Sequence, residues 1–420
     1  MAKKVLVLGA GMVSGPCVDY LLRNHYDVTV VSAVQTDLER TSFLCPSAKV
    51  FLLNIAQETS KLKDIVSQHD VVISILPAYL HPQVIQCCIS CKKSLIHASY
   101  EDDIIRAAHD SAKAAGITIL SEVGLDPGID HLLAMDCIDS IHEQGGQVTS
   151  YVSLCGGLPA PECSNGPLRY KFSWYPKGMF ISAMKKAKFI RDQKVVEVPE
   201  GHIFDRPNIV DGLLQDCQLE DIPNRNSTEY MKMYNIQSAN TIYRGTLRYK
   251  GFSIGMQALI SLGLTNSDVV SQLLPDSSNI TWRELVCILG GIPQNSSQIT
   301  VRNWMQTNLE LSETQLKIIT DLGILGNEEV PKLNTPLDAL CAHLAKELAY
   351  GSQDRDMVVM RNIINSTLPN GKQQQHTFDL VKMGDVNGFS AMAQTVGLTV
   401  AICAGLVVEG AVTKKGAINQ

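Results

Sequence analysis

"KKVLVLGAGMVSGPCVDYLL", residues 3–22, decides the fold. A continuous apolar run over Val5–Leu8 predicts a buried strand, and Gly9 and Gly11 predict a tight turn. Cys17, Val18, Leu21 and Leu22 then recur at helical spacing. "DVTVVSA" (27–33) adds a second apolar strand. Strand, glycine turn, helix and strand make the opening unit of a dinucleotide-binding domain, in which backbone can meet a pyrophosphate at a helix N-terminus. The fingerprint's third glycine position is Ser14.

The same alternation continues outward. "DVVISILP" (70–77), "SLIHASY" (94–100) and "GITILSEVGLDPG" (116–128) read as strands. The helical segments "HPQVIQCCISCKK" (81–93) and "IIRAAHDSAKAAG" (104–116) separate them. The pattern predicts an α/β fold with a Rossmann-like doubly wound parallel sheet over residues 1–128, whose ligands lie beyond the carboxyl ends of its strands. Those ends carry Pro77, Ser99–Tyr100 and Leu125–Gly128.

Composition bounds the function. A chain of 420 residues, 45% hydrophobic and 19% charged, is globular with room for two or three domains. A net charge of −6 argues against a nucleic-acid partner, which selects a basic surplus. Twelve cysteines without a framework read as free thiols of a reducing compartment. The single CxxC, Cys88 to Cys91, lies at helical spacing and reads as packing, so no metal is expected. The opening strand leaves no room for a targeting segment ahead of it, which makes cytosolic the expected location.

"GFSAMAQTVGLTVAICAGLVV" (388–408) is uncharged and long enough to span a bilayer. Ser390, Gln394, Thr395, Thr399 and three glycines, with no aromatic belt, favour a buried helix instead. The expected domain helix 388–412 then packs back on the first domain, and no membrane partner is expected.

After the helix in "GLDPGIDHLLAMDCIDSIHEQGG" (124–146) the alternation stops. "QVTSYVSLCGG", "KVVEVPE" and "NTIYRGTLRYKGF" are strand-like, and "RDMVVMRNIIN" and "HTFDLVKMGD" return to that texture later. They predict a mixed α/β domain over 129–255 and about 352–387. Residues 256–351 predict a helical domain, with capping boxes at Thr281–Glu284 and Ser312–Gln315 and a Thr-Pro helix start at Thr335.

Several blocks carry a resemblance. "VLVLGAGMVSGP", "VVISILPAYLHP", "GITILSEVGLDPGIDH", "CGGLPAPE" followed by "PLRYKFSW", "PNRNS", "RGTLRYKGF" and "NGFSAMAQTVGL" resemble saccharopine dehydrogenase of the glutamate-forming type, in family order. The resemblance implies a dinucleotide-binding domain, a mixed substrate-binding and dimerisation domain, and a helical third domain. It implies NAD(P)-dependent interconversion of saccharopine with glutamate and 2-aminoadipate 6-semialdehyde, and a homodimer.

Site residues follow from it. Substrate binding is expected at Ser99, Tyr100, Asp126, Arg225, Arg244, Gly245 and Thr246. Cofactor binding is expected at Gly9, Ala10, Gly11, Met12, Val13, Ser32, Ala33, Val34, Asn54, Ile55, Ile75, Leu125, Asp126 and Pro127. Saccharopine carries three carboxylates, which arginine suits, and the Gly-Pro-rich stretch from Cys155 can bring backbone amides to substrate. Asp126 and Tyr100, with Cys155 third, are candidates for the proton transfer at the amine. His131 reads as structural.

Two departures stand out. Ala33 sits where animal relatives tend to carry Asp and fungal ones Arg, and Asn226 replaces the Asp of an "NRDS" motif. With Ser32, Ala33, Val34, Gln35 and Thr36 after the second strand, neither acid nor base is present. That favours NADP modestly over NAD, since no carboxylate repels a 2′-phosphate. The rival readings are a related opine- or polyamine-forming reductase and a dinucleotide-binding partner protein without activity.

Overall fold

The computed structural model describes residues 2–419, which divide into two compact units. The first comprises 2–144, 356–358 and 381–419, and the second 145–355 and 359–380.

Seven strands build the first unit: β1 (Lys4–Leu8), β2 (Asp27–Ser32), β3 (Lys49–Leu52), β4 (Val71–Ser74), β5 (Ser94–His97), β6 (Thr118–Ser121) and a C-terminal strand, Gly416–Asn419. All pair in parallel, in the order C-terminal strand, β6, β5, β4, β1, β2, β3. The order therefore reverses between β1 and β4, the switch point at which a doubly wound sheet opens a ligand crevice. The expected parallel sheet is present. Its C-terminal strand was not foreseen, because four residues of "GAIN" carry no periodic signal.

Burial explains the continuous apolar strands. Val5 and Val7 point into one hydrophobic cluster while Leu6 and Leu8 point into another. Successive side chains of a strand face opposite sides, so a sheet covered on both faces needs apolar residues at every position. The covering helices include α1 (Gly15–Arg23), α2 (Gln35–Leu44), α3 (Thr59–Ser67) and α4 (His81–Cys91). After α5 (Asp103–Ala107), α6 (His109–Ala114) and β6 comes α7 (Ile129–Glu143). Cys88 is fully buried in this core, where desolvation pushes its thiol up, as the packing reading expects.

The long apolar segment near the end is the helix Ala391–Val408. By length and composition it could cross a membrane, yet half of its span is buried within the protein. Val400, Ala401 and Ala404 join the cluster of Val5 and Val7. A Cβ at Gly397 would stand 2.7 Å from the Val13 carbonyl oxygen, so glycine allows the helix to lie on α1. Its first turn is capped by Ser390 and by the Asp356 carboxylate, which accepts the N–H groups of Ala391 (2.6 Å) and Met392 (2.9 Å).

The second unit is built on a mixed sheet. Its strands are β7 (Gln147–Pro159), β8 (Ala187–Arg191), β9 (Lys194–Val198), β10 (Asn208–Leu214), β11 (Cys217–Pro223), β12 (Thr241–Tyr249), β13 (Asp356–Thr367) and β14 (Gln373–Met383). The main path is β10, β11, β12, β7, β13, β14, and β12 pairs in parallel with β7 but antiparallel with β11. Both expected capping boxes form, and Thr335 caps the helix Pro336–Glu347. The helices from Phe252 to Glu347 do not stand apart as a domain by contact. Trp282, Leu285, Leu316 and Leu340 share one hydrophobic core with Leu168, Tyr170 and Ile222. The first unit likewise extends past residue 128, through α7 to Gln144.

A buried pair of histidines makes the first unit acid-sensitive. His81 opens α4 and His97 closes β5, with ring centroids 4.6 Å apart. His97 Nε2 lies 3.0 Å from the Ser121 hydroxyl. Burial lowers the His81 pKa from 6.5 to about 4, and burial and the neighbouring ring hold His97 well below its ordinary value. Both rings stay neutral in the folded state, whereas in the unfolded chain they protonate as pH falls through 6.5. Stability is thus complete above that value and is lost down to pH 4, by about 3 kcal/mol from His81 alone. The urea midpoint should fall over this window, and His81→Gln should flatten the dependence. An equal slope in the two proteins would show the histidines are not the cause.

Candidate active site

The turn after β1 is built as a cradle. Gly9 has φ +105° and donates its N–H to the Val31 carbonyl at 2.8 Å. A Cβ on Gly9 would press within 2.9 Å of the Ile75 carbonyl oxygen at the end of β4, so the fold itself demands glycine there. Gly11 is different: a Cβ there would meet no atom within 4 Å. Glycine at 11 faces open space ahead of the N-terminus of α1, the position at which dinucleotide-binding folds bring backbone to a pyrophosphate. Ser14, at the third glycine position, turns its hydroxyl back to the Gly11 carbonyl at 2.9 Å and closes the turn.

This contrast supplies a test. Gly11→Val should leave the melting temperature within a few degrees of wild type and abolish dinucleotide binding in calorimetry. Retained binding would reduce the turn to a connection.

The other expected cofactor positions line the same strand ends. Ser32 is buried at the end of β2, with Ala33 and Val34 exposed beyond it. Asn54 is exposed and Ile55 buried beyond β3, and Ile75 follows β4, its N–H bonded to the Leu8 carbonyl at 2.8 Å. Ala10 is buried, Met12 exposed and Val13 half-buried. Leu125 and Pro127 are buried, flanking a half-buried Asp126, and the Asp126–Pro127 bond is cis.

The structure joins the two candidates for proton transfer. The Tyr100 hydroxyl donates to Asp126 Oδ1 at 2.7 Å, linking the segments beyond β5 and β6. Ser99 and Tyr100 are half-buried, and the Ser99 carbonyl accepts the N–H of Glu122 at 3.2 Å. Glu122 is a residue that sequence reasoning missed. It is buried with φ +63°, a conformation a non-glycine residue keeps only when its surroundings insist. Its carboxylate accepts the Glu101 N–H at 2.9 Å and meets His131 Nε2 at 2.9 Å. Glu122 thus holds the chain on either side of Tyr100, and the buried His131 pairs with its carboxylate. The available signal was an acid directly after the buried strand β6.

The remaining expected residues belong to the second unit. Arg244 is 2% exposed on β12. Its guanidinium lies 4.5 Å over the Tyr230 ring and donates to the Tyr230 hydroxyl, while the Arg244 backbone N–H donates to Ser227 Oγ at 3.0 Å. Thr246 stands two residues on, on the same face, directly beside Cys155 of β7. Arg225 has φ +51° and donates from Nη2 to Ser182 Oγ at 3.2 Å. Gly245 has a packing reason for its small size, since a Cβ there would overlap the Asp221 carboxylate at 2.1 Å. Burial raises the pKa of that carboxylate, which accepts from the Tyr243 hydroxyl and from Asn208 at 2.9 Å.

The Gly-Pro-rich stretch from Cys155 begins as strand, since β7 continues through Pro159. Gly156 is glycine because a Cβ would strike the Leu247 carbonyl oxygen at 2.7 Å, a demand of sheet packing. At the departure Asn226 the side chain caps a local turn. Its side-chain oxygen accepts the Thr228 N–H at 3.2 Å and caps the turn Ser227–Glu229, a role that Asn and Asp fill alike.

Comparison with known proteins gives the family. Residues 5–120 match the saccharopine dehydrogenase NADP binding domain, and 124–420 match the saccharopine dehydrogenase C-terminal domain. The chain is 34% identical to a Saccharomyces cerevisiae protein named saccharopine dehydrogenase [NADP(+), L-glutamate-forming], over 99% of this chain and 93% of that one. The solved apo structure of the L-Glu-forming enzyme from that yeast covers the whole chain, with a TM-score of 0.85 and 33% identity. A bovine mitochondrial alpha-aminoadipic semialdehyde synthase is 44% identical over 99% of this chain, and the chain spans only 45% of its length. The expected NADP use fits the first of these matches. A glycine cradle at the switch point, a Tyr–Asp pair beyond β5 and β6, and near full-length likeness to the yeast protein lead to one assignment: the chain belongs to the saccharopine dehydrogenase family.

Proposed function

We propose that this chain interconverts saccharopine with L-glutamate and L-2-aminoadipate 6-semialdehyde as an NADP-using dehydrogenase. The hydrogen bond between Tyr100 and Asp126 carries the reading, because it places a phenol and a carboxylate together at the ligand-facing edge of a dinucleotide-binding sheet. The bound nicotinamide supplies the hydride chemistry. The chain's own work is proton transfer and orientation. The secondary amine of saccharopine must shed a proton before its carbon gives up hydride, and the imine so formed must take up water. Asp126 accepts a proton through or beside the Tyr100 hydroxyl, and the clamp by Glu122 keeps that hydroxyl in place.

Arg225 and Arg244 are assigned to substrate carboxylates, since a planar guanidinium matches a carboxylate in two hydrogen bonds. Ser99 and Thr246 add neutral donors. A homodimer accompanies this reading and is checked by light scattering. The test is turnover: purified protein with saccharopine should reduce NADP and release the semialdehyde and glutamate. A protein that binds NADPH but turns over no saccharopine would be a binding partner or a reductase for another amine.

A further inference from the structure

Helix α2 carries a cation that the residues directly after β2 lack. Ser32, Ala33 and Val34 offer no charge at the place where dinucleotide-binding folds distinguish a ribose hydroxyl from a 2′-phosphate. Arg40 lies on α2, half of its side chain exposed, and reaches back to the glycine turn. Its Nη2 donates to the carbonyl of Ala10, the residue between Gly9 and Gly11, at 2.8 Å. The same nitrogen meets Asp37 Oδ1 at 3.4 Å. A guanidinium has five N–H donors. Among the described residues the Nε and Nη1 donors of Arg40 make no hydrogen bond. The group is therefore pinned at one nitrogen between the glycine turn and the helix that follows β2, with its other donors open.

We propose that Arg40 is the 2′-phosphate ligand of this protein and sets its preference for NADP over NAD. The inference rests on the dinucleotide-binding reading above. Position 33 has no guanidinium, and Arg40 supplies one from the next helix, already oriented by the Ala10 carbonyl. The surrounding charges are compatible. Asp37 is the only acid in contact with the guanidinium among the described residues, and an exposed pair of 3.4 Å is weak enough for a phosphate dianion to outcompete. Glu39 is engaged by Gln35 at 3.0 Å. Ser32 Oγ accepts the Val34 N–H at 3.1 Å and keeps its own proton to donate beside the phosphate.

Binding to the protein without substrate tests this. Calorimetry with NADPH, NADH and 2′,5′-ADP compares wild type with Arg40→Gln and Arg40→Lys. Glutamine keeps an N–H for the Ala10 carbonyl and removes the charge. Arg40→Gln should weaken NADPH and 2′,5′-ADP by about 10- to 100-fold and leave NADH within about twofold, because charge-assisted bonds are the strong ones. Arg40→Lys should fall between the two. Equal loss for NADPH and NADH would make Arg40 a prop of the glycine turn and overturn the assignment, as would no change for either. Wild-type protein that binds neither dinucleotide would remove the cofactor reading itself, a result distinct from both.

Discussion

Asp126→Ala should lower kcat for saccharopine oxidation by about 10²–10⁴-fold, the range over which a positioned acid–base group contributes. Asp126 accepts the Tyr100 hydroxyl at 2.7 Å, so removing the carboxylate deletes the proton acceptor and frees the phenol together. Tyr100→Phe deletes only the hydroxyl and should cost less. The double variant should be little worse than Asp126→Ala alone, since two groups of one proton path do not add. A split between kcat and stability separates this role from packing. In Asp126→Ala kcat should fall while the KM for saccharopine and the melting temperature stay near wild type, whereas a purely structural loss would lower the melting temperature as well. Two single variants with multiplying effects would show that the pair does not act as a unit.

Arg244→Met should raise the KM for saccharopine by thirty-fold or more, from a loss of about 2–5 kcal/mol when one partner of a desolvated charge pair is removed. Methionine roughly fills the buried space while deleting the charge. NADPH affinity should stay near wild type, because Gly9, Gly11 and the rest of the cradle lie on the other unit. The competing expectation is equally definite. Arg244 packs over Tyr230 and donates to its hydroxyl. If that is its whole function, the melting temperature drops and KM is unmoved. Steady-state kinetics and a thermal melt on one preparation decide between them.

The contrast between these arginines shows how far sequence reasoning reached. "RGT" drew attention to Arg244 through resemblance, and it is buried against Tyr230. Arg40 went unremarked, because an arginine three residues after an aspartate on a helix reads as a solvated ion pair. Only the fold reveals that its Nη2 touches Ala10, thirty residues earlier. Glu122 was passed over in the same way, since nothing in "SEVGLDPG" announces a left-handed glutamate clamped to His131.

What the sequence by itself determined is the local and the periodic: parallel strands from unbroken apolar runs, the turn at Gly9, both capping boxes and the buried nature of the helix 391–408. These depend on neighbours within a few residues, where spacing and stereochemistry suffice. Tertiary structure alone decided which glycines serve packing and which leave room. Gly9, Gly156 and Gly245 are excluded from larger residues by Ile75, Leu247 and Asp221, whereas Gly11 meets nothing. It also decided that "GAIN" closes the sheet beside β6 and that the helices 252–347 share the mixed sheet's core. Each is set by contacts between residues far apart in the chain, and only the folded path brings those partners together.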